Sequence, residues 1–376
     1  MSTVSGSSNG RPSTAQLLAL ARDCEPGATE RMLELWRHQG LLPQAERTGQ
    51  DGTRPVWTYP AEAPGQLAAL LRLRAATKDP NLLRAALWFD GYPVPTSRAR
   101  ESMITVLRKM QADVERELAR RSAALGLDPE EGRSQALGEV ARDLASRRGT
   151  GPPRFGRQRL DDRAQGFEAM FRLGLGEEPS PDQLDDHTAA AAERVMGVDQ
   201  GRRYRPGGVE PWLTGQPADG LAAFQEIGSL PRLIEALESA GEVEFEQARP
   251  SARTILTGIA AFSQIADAFA GYRNASGLAA AQALKDEPVI RVMASAWMIS
   301  AMRQREAAAN IEDVSATLTG QILPLEAAAR KLAAMPEAER AARISRLSWP
   351  EQRRIRRLIN TLGNSGANDQ GKTPDR

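Results

Sequence analysis

The punctuation of the stretch from Ser13 to Arg74 constrains this chain more than any other feature. It reads STAQLLALARDCEPGATERMLELWRHQGLLPQAERTGQDGTRPVWTYPAEAPGQLAALLRLR. Ser13 or Thr14 caps a helix that carries Leu17, Leu18 and Ala21 on one face. Glu25-Pro26-Gly27 breaks it, because Pro lacks a backbone donor and Gly admits positive φ. Thr29 opens a second helix with Met32, Leu33 and Trp36 at core spacing, and Gly40 stops it. A polar hairpin follows around Gly49 to Gly52, with Val56, Trp57 and Tyr59 on the returning strand. Pro64 starts a third helix with Leu67, Leu70, Leu71 and Leu73. The order helix, tight turn, helix, hairpin, helix is the outline of a winged helix-turn-helix, in which the second helix enters the DNA major groove.

These residues resemble the MerR family of winged-helix transcription regulators. The likeness lies in Leu33, Trp36, Gly40-Leu41-Leu42-Pro43, Tyr59 and the Leu67–Arg74 helix, and covers about the first 95 residues. The chain departs from the family where DNA is touched. Glu34 stands where the family usually has a phosphate-contacting Arg, Leu35 replaces an aromatic, and Trp57 takes the Arg position before Tyr59. The resemblance implies a bacterial regulator that binds double-stranded DNA through Thr29, Arg31, Arg37, Arg47, Arg54 and Tyr59. An alternative is a protein-interaction module that reuses the winged helix without DNA; Glu34 and the missing wing Arg favour it. Arg31, Arg37, Arg47 and Arg54 favour DNA, since they line the second helix and the wing where phosphates would lie.

The remainder sets the fold class. Aromatics make up only 5% of the residues while Ala and Leu dominate, which favours helix over a β-sandwich. The expected architecture is mainly α: the N-terminal winged helix, a long connecting helix and an all-α C-terminal domain. The divisions are a disordered tail over 1–12, the winged helix over 13–95, a helical connector over 96–146, a basic linker over 147–162, an all-helical region over 163–362 and a tail over 363–376. Expected helix breaks in the all-helical region include Gly241, Pro250 and Glu287-Pro288. In the connector, Met103, Leu107, Met110, Val114 and Leu118 form a narrow stripe. That stripe suits a homodimer seam, and equally suits packing on the Leu137–Leu144 helix of the same chain. Trp88 and Phe89 are expected to pack back on the winged helix.

Chemistry is not visible. The sequence contains no phosphate-binding Gly-rich loop, no dinucleotide fingerprint and no nucleophile elbow. Cys24 is the only cysteine, so neither an internal disulfide nor a thiolate zinc site can form, and His38 and His187 are the only histidines. The chain therefore reads as a non-enzyme without metal or cofactor. With a net charge of +1, any nucleic-acid contact must come from a local patch. The basic stretches Arg147–Arg159 and Arg353–Arg357 are such patches, each also readable as solvated surface. The most apolar windows, Ile255–Phe269 and Val289–Met302, are too short to span a bilayer and read as core helices. No signal peptide is visible, so the expected location is cytoplasmic, with an unknown ligand or protein partner at the C-terminal region.

Overall fold

Local sequence signals set the ends of the first elements. The computed structural model describes residues 11–51, 54–146, 159–177, 228–270, 287–304 and 311–356, apart from 314, 317 and 354. Helix α1 (Thr14–Cys24) begins at Ser13, whose hydroxyl accepts from the Gln16 N–H while the Gln16 side chain accepts from the Ser13 N–H. This reciprocal pair satisfies two donors that a helix start leaves open. Helix α2 (Glu30–His38) is capped by Thr29, which accepts from the Met32 N–H at 3.3 Å. Its far end closes on Gly40 at φ +69°, where the Gly40 N–H donates to the Arg37 carbonyl at 2.9 Å and the Leu41 N–H to the Trp36 carbonyl at 2.8 Å. That is a Schellman closure, completed by the buried pair Trp36 and Leu41.

Strands β1 (Glu46–Asp51) and β2 (Arg54–Thr58) form an antiparallel hairpin whose register slips between Arg47 and Gly49. Residues 11–13 run beside it. Ser13 bridges to Thr58, the Tyr59 N–H donates to the Pro12 carbonyl at 2.8 Å, and Arg11 pairs with Glu46 at 2.5 Å. The expected tail over 1–12 is thus corrected: Arg11 and Pro12 are tied to the hairpin. Helix α3 (Ala63–Ala76) follows with Pro in its first turn.

The rest of the described chain is helical: α4 (Pro80–Phe89), α5 (Thr96–Leu125), α6 (Pro129–Ser146), α7 (Leu160–Leu175), α8 (Leu230–Ser239), α9 (Glu242–Ala270), α10 (Pro288–Met302), a π-helical turn at Leu318–Ile322, α11 (Leu323–Ala333) and α12 (Glu337–Ile344). The hairpin is the one sheet among the described residues, so the fold is mainly α, as the composition predicts. No helix among them is long and apolar enough to cross a membrane.

One hydrophobic core runs from α1 through α5 and continues without a gap into α8, α9 and α10. Helix α4 sits between α5 and α10, and α5 packs on α8. Trp88 meets Phe245 of α9 edge-on, with centroids 5.8 Å apart, and the Arg249 guanidinium lies 5.3 Å from the Trp88 ring centre. Trp88 therefore faces the C-terminal helices, unlike the expectation that it packs on the N-terminal module. Arg291 of α10, 4% exposed, donates to Asp90 at 2.7 Å, and Thr96 donates to Glu246 at 2.6 Å. These two polar ties hold the α4–α5 connector against α9 and α10.

The α5 stripe is consumed within the chain, which corrects the homodimer seam. Met103 and Leu107 are buried in the main core, and Met110 packs against it. Val114 and Leu118 join a second cluster with Ala136, Leu137 and Val140 of α6 and Phe171 of α7. A seam needs a free face; here several helices of the same chain already fill it. Arg133 reinforces the second cluster by pairing with Glu115 of α5 and with Glu177 just after α7.

Pro250 does not break the chain as expected: α9 runs through it. Proline removes one intrahelical hydrogen bond, and burial of Phe245, Ala248 and Ala252 on either side outweighs that loss. The break at Gly241 and the start at Pro288 fall where the sequence places them. Most of the basic linker (147–158), His187 and the tail over 363–376 lie outside the described residues.

Candidate nucleic-acid interface

Helix α2 has one inward and one outward side. Leu33 and Trp36 are buried in the core, and Met32 packs against it. The Arg74 guanidinium lies 4.9 Å from the centre of the Trp36 ring, closing that side. Glu30, Arg31, Glu34, Leu35 and His38 are exposed. The outward side therefore mixes two carboxylates, one guanidinium and an aliphatic residue, Leu35, at 51% exposure.

Arg84 of α4 fixes the C-terminal end of this helix. Its guanidinium donates to the Gln39 carbonyl at 2.9 and 2.7 Å, to Asn81 at 3.1 Å and to Ser102 of α5 at 2.6 Å. A cation on the open carbonyls of a helix end also meets the negative end of its dipole. Burial lowers the Arg84 pKa, as does Arg98 nearby, while Glu101 and Asp79 act against them. Gln66 adds a buried bond to the Leu41 carbonyl at 3.0 Å. Together these bonds hold the α2 end rigidly against α3, α4 and α5.

The hairpin presents a second surface. Arg47 and Trp57 stand directly opposite in the register and so share one face. Arg47 is exposed, and Trp57 is 44% exposed. Among the described residues no carboxylate lies within ion-pair distance of Arg31, Arg37 or Arg47. Arg37 is half-buried, and its carbonyl accepts from Gln44.

The six residues expected to contact DNA fare differently. Thr29 is exposed, but its hydroxyl is engaged as the cap of α2. Arg31, Arg37 and Arg47 retain solvent access. Arg54 opens β2 opposite Asp51; its side chain lies outside the described ones. Tyr59 is a correction: at 1% exposure it is a core residue with no surface to offer a phosphate. Trp57 is what the sequence reading missed as a surface group. Alternation would set Trp57 and Tyr59 on one face of a regular strand; β2 ends at Thr58, so Trp57 stays out while Tyr59 turns into the core.

Elsewhere an open cleft of about 380 Å³ lies between α8 and α10, lined by Arg232, Glu235, Ser239, Ser300, Arg303 and Gln304. Its arginines are already matched, Arg232 to Glu235 at 2.9 Å and Arg303 to Glu244 at 3.3 Å. Among the described residues no cluster of His, Cys, Asp and Glu is arranged to hold a metal ion. No family model matches the chain, nor does any curated protein or solved structure.

Proposed function

We propose that the chain is a bacterial, cytoplasmic DNA-binding regulator that lays α2 and the β1–β2 hairpin on double-stranded DNA, as a winged helix does. The observation that carries this reading is that Arg31, Arg37 and Arg47 have no carboxylate partner among the described residues while α2 is pinned at its end by Arg84. Unneutralised guanidiniums on a rigid helix and hairpin suit phosphate contacts, which fix register before any base is read. Arg47 and Trp57 on one hairpin face add a cation beside a flat apolar ring, suited to the sugar–phosphate edge. In this reading helices α8 to α10 carry the response to a ligand or partner.

The test is a salt titration of full-length protein on duplex DNA. Each lost phosphate contact lowers the slope of log K against log salt by about 0.9. Arg47→Ala and Arg54→Ala should each do so, and Glu34→Gln should tighten binding by removing a charge that repels phosphate. If all three variants keep both the affinity and the slope of the parent, the assignment is wrong.

A second reading has its own support. Leu35 at 51% and Trp57 at 44% exposure, with Glu30 and Glu34 alongside on α2, suit a protein surface better than a phosphate backbone. Under this reading Leu35→Ala and Trp57→Ala abolish capture of a partner protein, and Glu34→Gln leaves DNA affinity unchanged.

A further inference from the structure

The last described stretch holds a second concentration of positive charge. Between 340 and 357 the sequence places Arg at 340, 343, 346, 353, 354, 356 and 357, and its only acid there is Glu351. Helix α12 ends at Ile344, a turn follows over 345–348, and the chain is helical again from Trp349. The turn is well tied. The Ser348 N–H and hydroxyl both donate to Glu351, at 2.9 and 2.6 Å, and Gln352 donates to the Leu347 carbonyl at 2.7 Å. Glu351, the one acid after α12, is thereby engaged at the helix start; Glu337 and Glu339 lie in the first turn of α12, where Glu339 pairs with Arg343.

The two helices turn Ile344, Leu347 and Ile355 inward and leave Trp349 and most of their cations out. Ile344 is buried, and Leu347, Gln352 and Ile355 are half-buried. Arg343, Arg346, Trp349, Arg353 and Arg356 are exposed. Trp349, Arg353 and Arg356 follow the i, i+4, i+7 spacing and so lie on one side of the second helix. The Arg353 guanidinium lies 5.4 Å from the centre of the Trp349 ring, which is still 69% exposed. Arg343 pairs with Glu339 at 3.1 Å, but no carboxylate among the described residues lies within ion-pair distance of Arg346, Arg353 or Arg356.

We infer that the helix pair over 337–356 is a second duplex-DNA contact, in which Arg346, Arg353 and Arg356 grip the phosphate backbone and the exposed Trp349 ring lies along the sugar–phosphate edge. Guanidiniums match phosphate oxygens in pairs, and a run built only of Arg, with no Lys, uses that geometry. A lipid surface fits poorly. A helix that lies in a bilayer interface needs a continuous apolar face toward the acyl chains, and here the apolar side is turned inward and the outward side is charged. Because this contact uses none of the residues on α2 or the hairpin, it does not depend on the winged-helix reading.

The experiment uses the full chain in five forms: the parent, Arg346→Ala/Arg353→Ala/Arg356→Ala, Arg31→Ala/Arg37→Ala/Arg47→Ala, the combination of the two, and Trp349→Ala. Each is titrated with a random-sequence DNA duplex over a range of salt, with polyglutamate, single-stranded DNA and phosphatidylserine vesicles as the other probes. All the substituted C-terminal side chains are exposed, so the far-UV circular dichroism and the melt stay as in the parent. The C-terminal triple variant should lower the log–log salt slope by about 2.7, three contacts at about 0.9 each, whether or not the N-terminal arginines are present. Trp349→Ala should weaken duplex binding with the slope unchanged. An unaltered slope in both backgrounds overturns the inference. So does a loss seen only with polyglutamate, only with single-stranded DNA or only with vesicles. An N-terminal triple variant that binds as the parent does, while the C-terminal triple variant loses slope, removes the winged-helix reading and leaves this one standing.

Discussion

Trp88 and Phe245 come from distant parts of the sequence and meet edge-on in the middle of the core, so their coupling reports whether the N-terminal module folds with the C-terminal helices. Trp88 is fully buried, as is Phe245. A buried aromatic hides about 150–250 Å², which at about 25 cal/mol per Å² is roughly 4–6 kcal/mol. Large-to-small replacements of aromatic core residues cost about 3–5 kcal/mol, so each alanine variant should lose about that much. That is a large part of the roughly 5–15 kcal/mol of a typical folded domain. The edge-on contact is worth about 0.5–1.5 kcal/mol beyond area, and a double-mutant cycle should return a coupling of that size. One detail sharpens the test. The Trp88 indole N–H is buried with no hydrogen-bond partner among the described residues, so Trp88→Phe deletes an unsatisfied donor along with some ring area and should cost far less than Trp88→Ala. Urea unfolding followed by far-UV circular dichroism measures the four proteins of the cycle and Trp88→Phe. A single transition that moves in every variant, with non-zero coupling, is expected. Two separate transitions, with the alanine changes additive and each confined to one of them, would refute the claim of a shared core.

Two further outcomes follow from the geometry. Gly40→Ala should destabilise the chain by about 1–2 kcal/mol in thermal melts, because its φ of +69° is costly for any L side chain. The new Cβ would also press on Arg98 at 3.1 Å and displace the end of α2, so on the proposed DNA-binding reading duplex affinity falls with it. Hydrogen bonds from Arg120, then Arg121, hold the Glu117 carboxyl down from its ordinary 4.5 to about 2. A carboxyl depressed in the folded chain stabilises it above 4.5, and that contribution disappears as pH falls through the window to about 2. Glu117→Gln should therefore flatten the loss of α5 helicity across that window, most visibly at low salt; an acid limb identical to the parent's would count against the pairing.

The ends of the elements were legible in the sequence because they depend on near neighbours. Ser13, Thr29 and Gly40 each act within a few residues, and each caps or stops its helix where expected. What an apolar face packs against was not legible. Met103 to Leu118 has the same periodicity whether a second chain or α6 covers it, and only the arrival of α6, α7 and α8 decides. Pro250 shows the same limit: a local rule against proline gave way to burial of both flanks. At the candidate interface the charged residues were legible by type, but exposure was not. Tyr59 went into the core and Trp57 out of it, because the strand ends between them.

The shared core also sets a timetable for synthesis. The faces of α4 and α5 that carry Trp88, Met103 and Leu107 are covered by α8, α9 and α10, the last of which ends at Met302. Roughly 200 residues must therefore leave the ribosome after Leu107 before those faces close, which at about 5–20 residues per second is about 10–40 s. Throughout that interval the nascent chain displays an apolar helix pair with nothing to cover it, a target for holding chaperones. A variant that shortens or delays α9 or α10 would accordingly be lost in the cell as aggregate before its stability was ever tested.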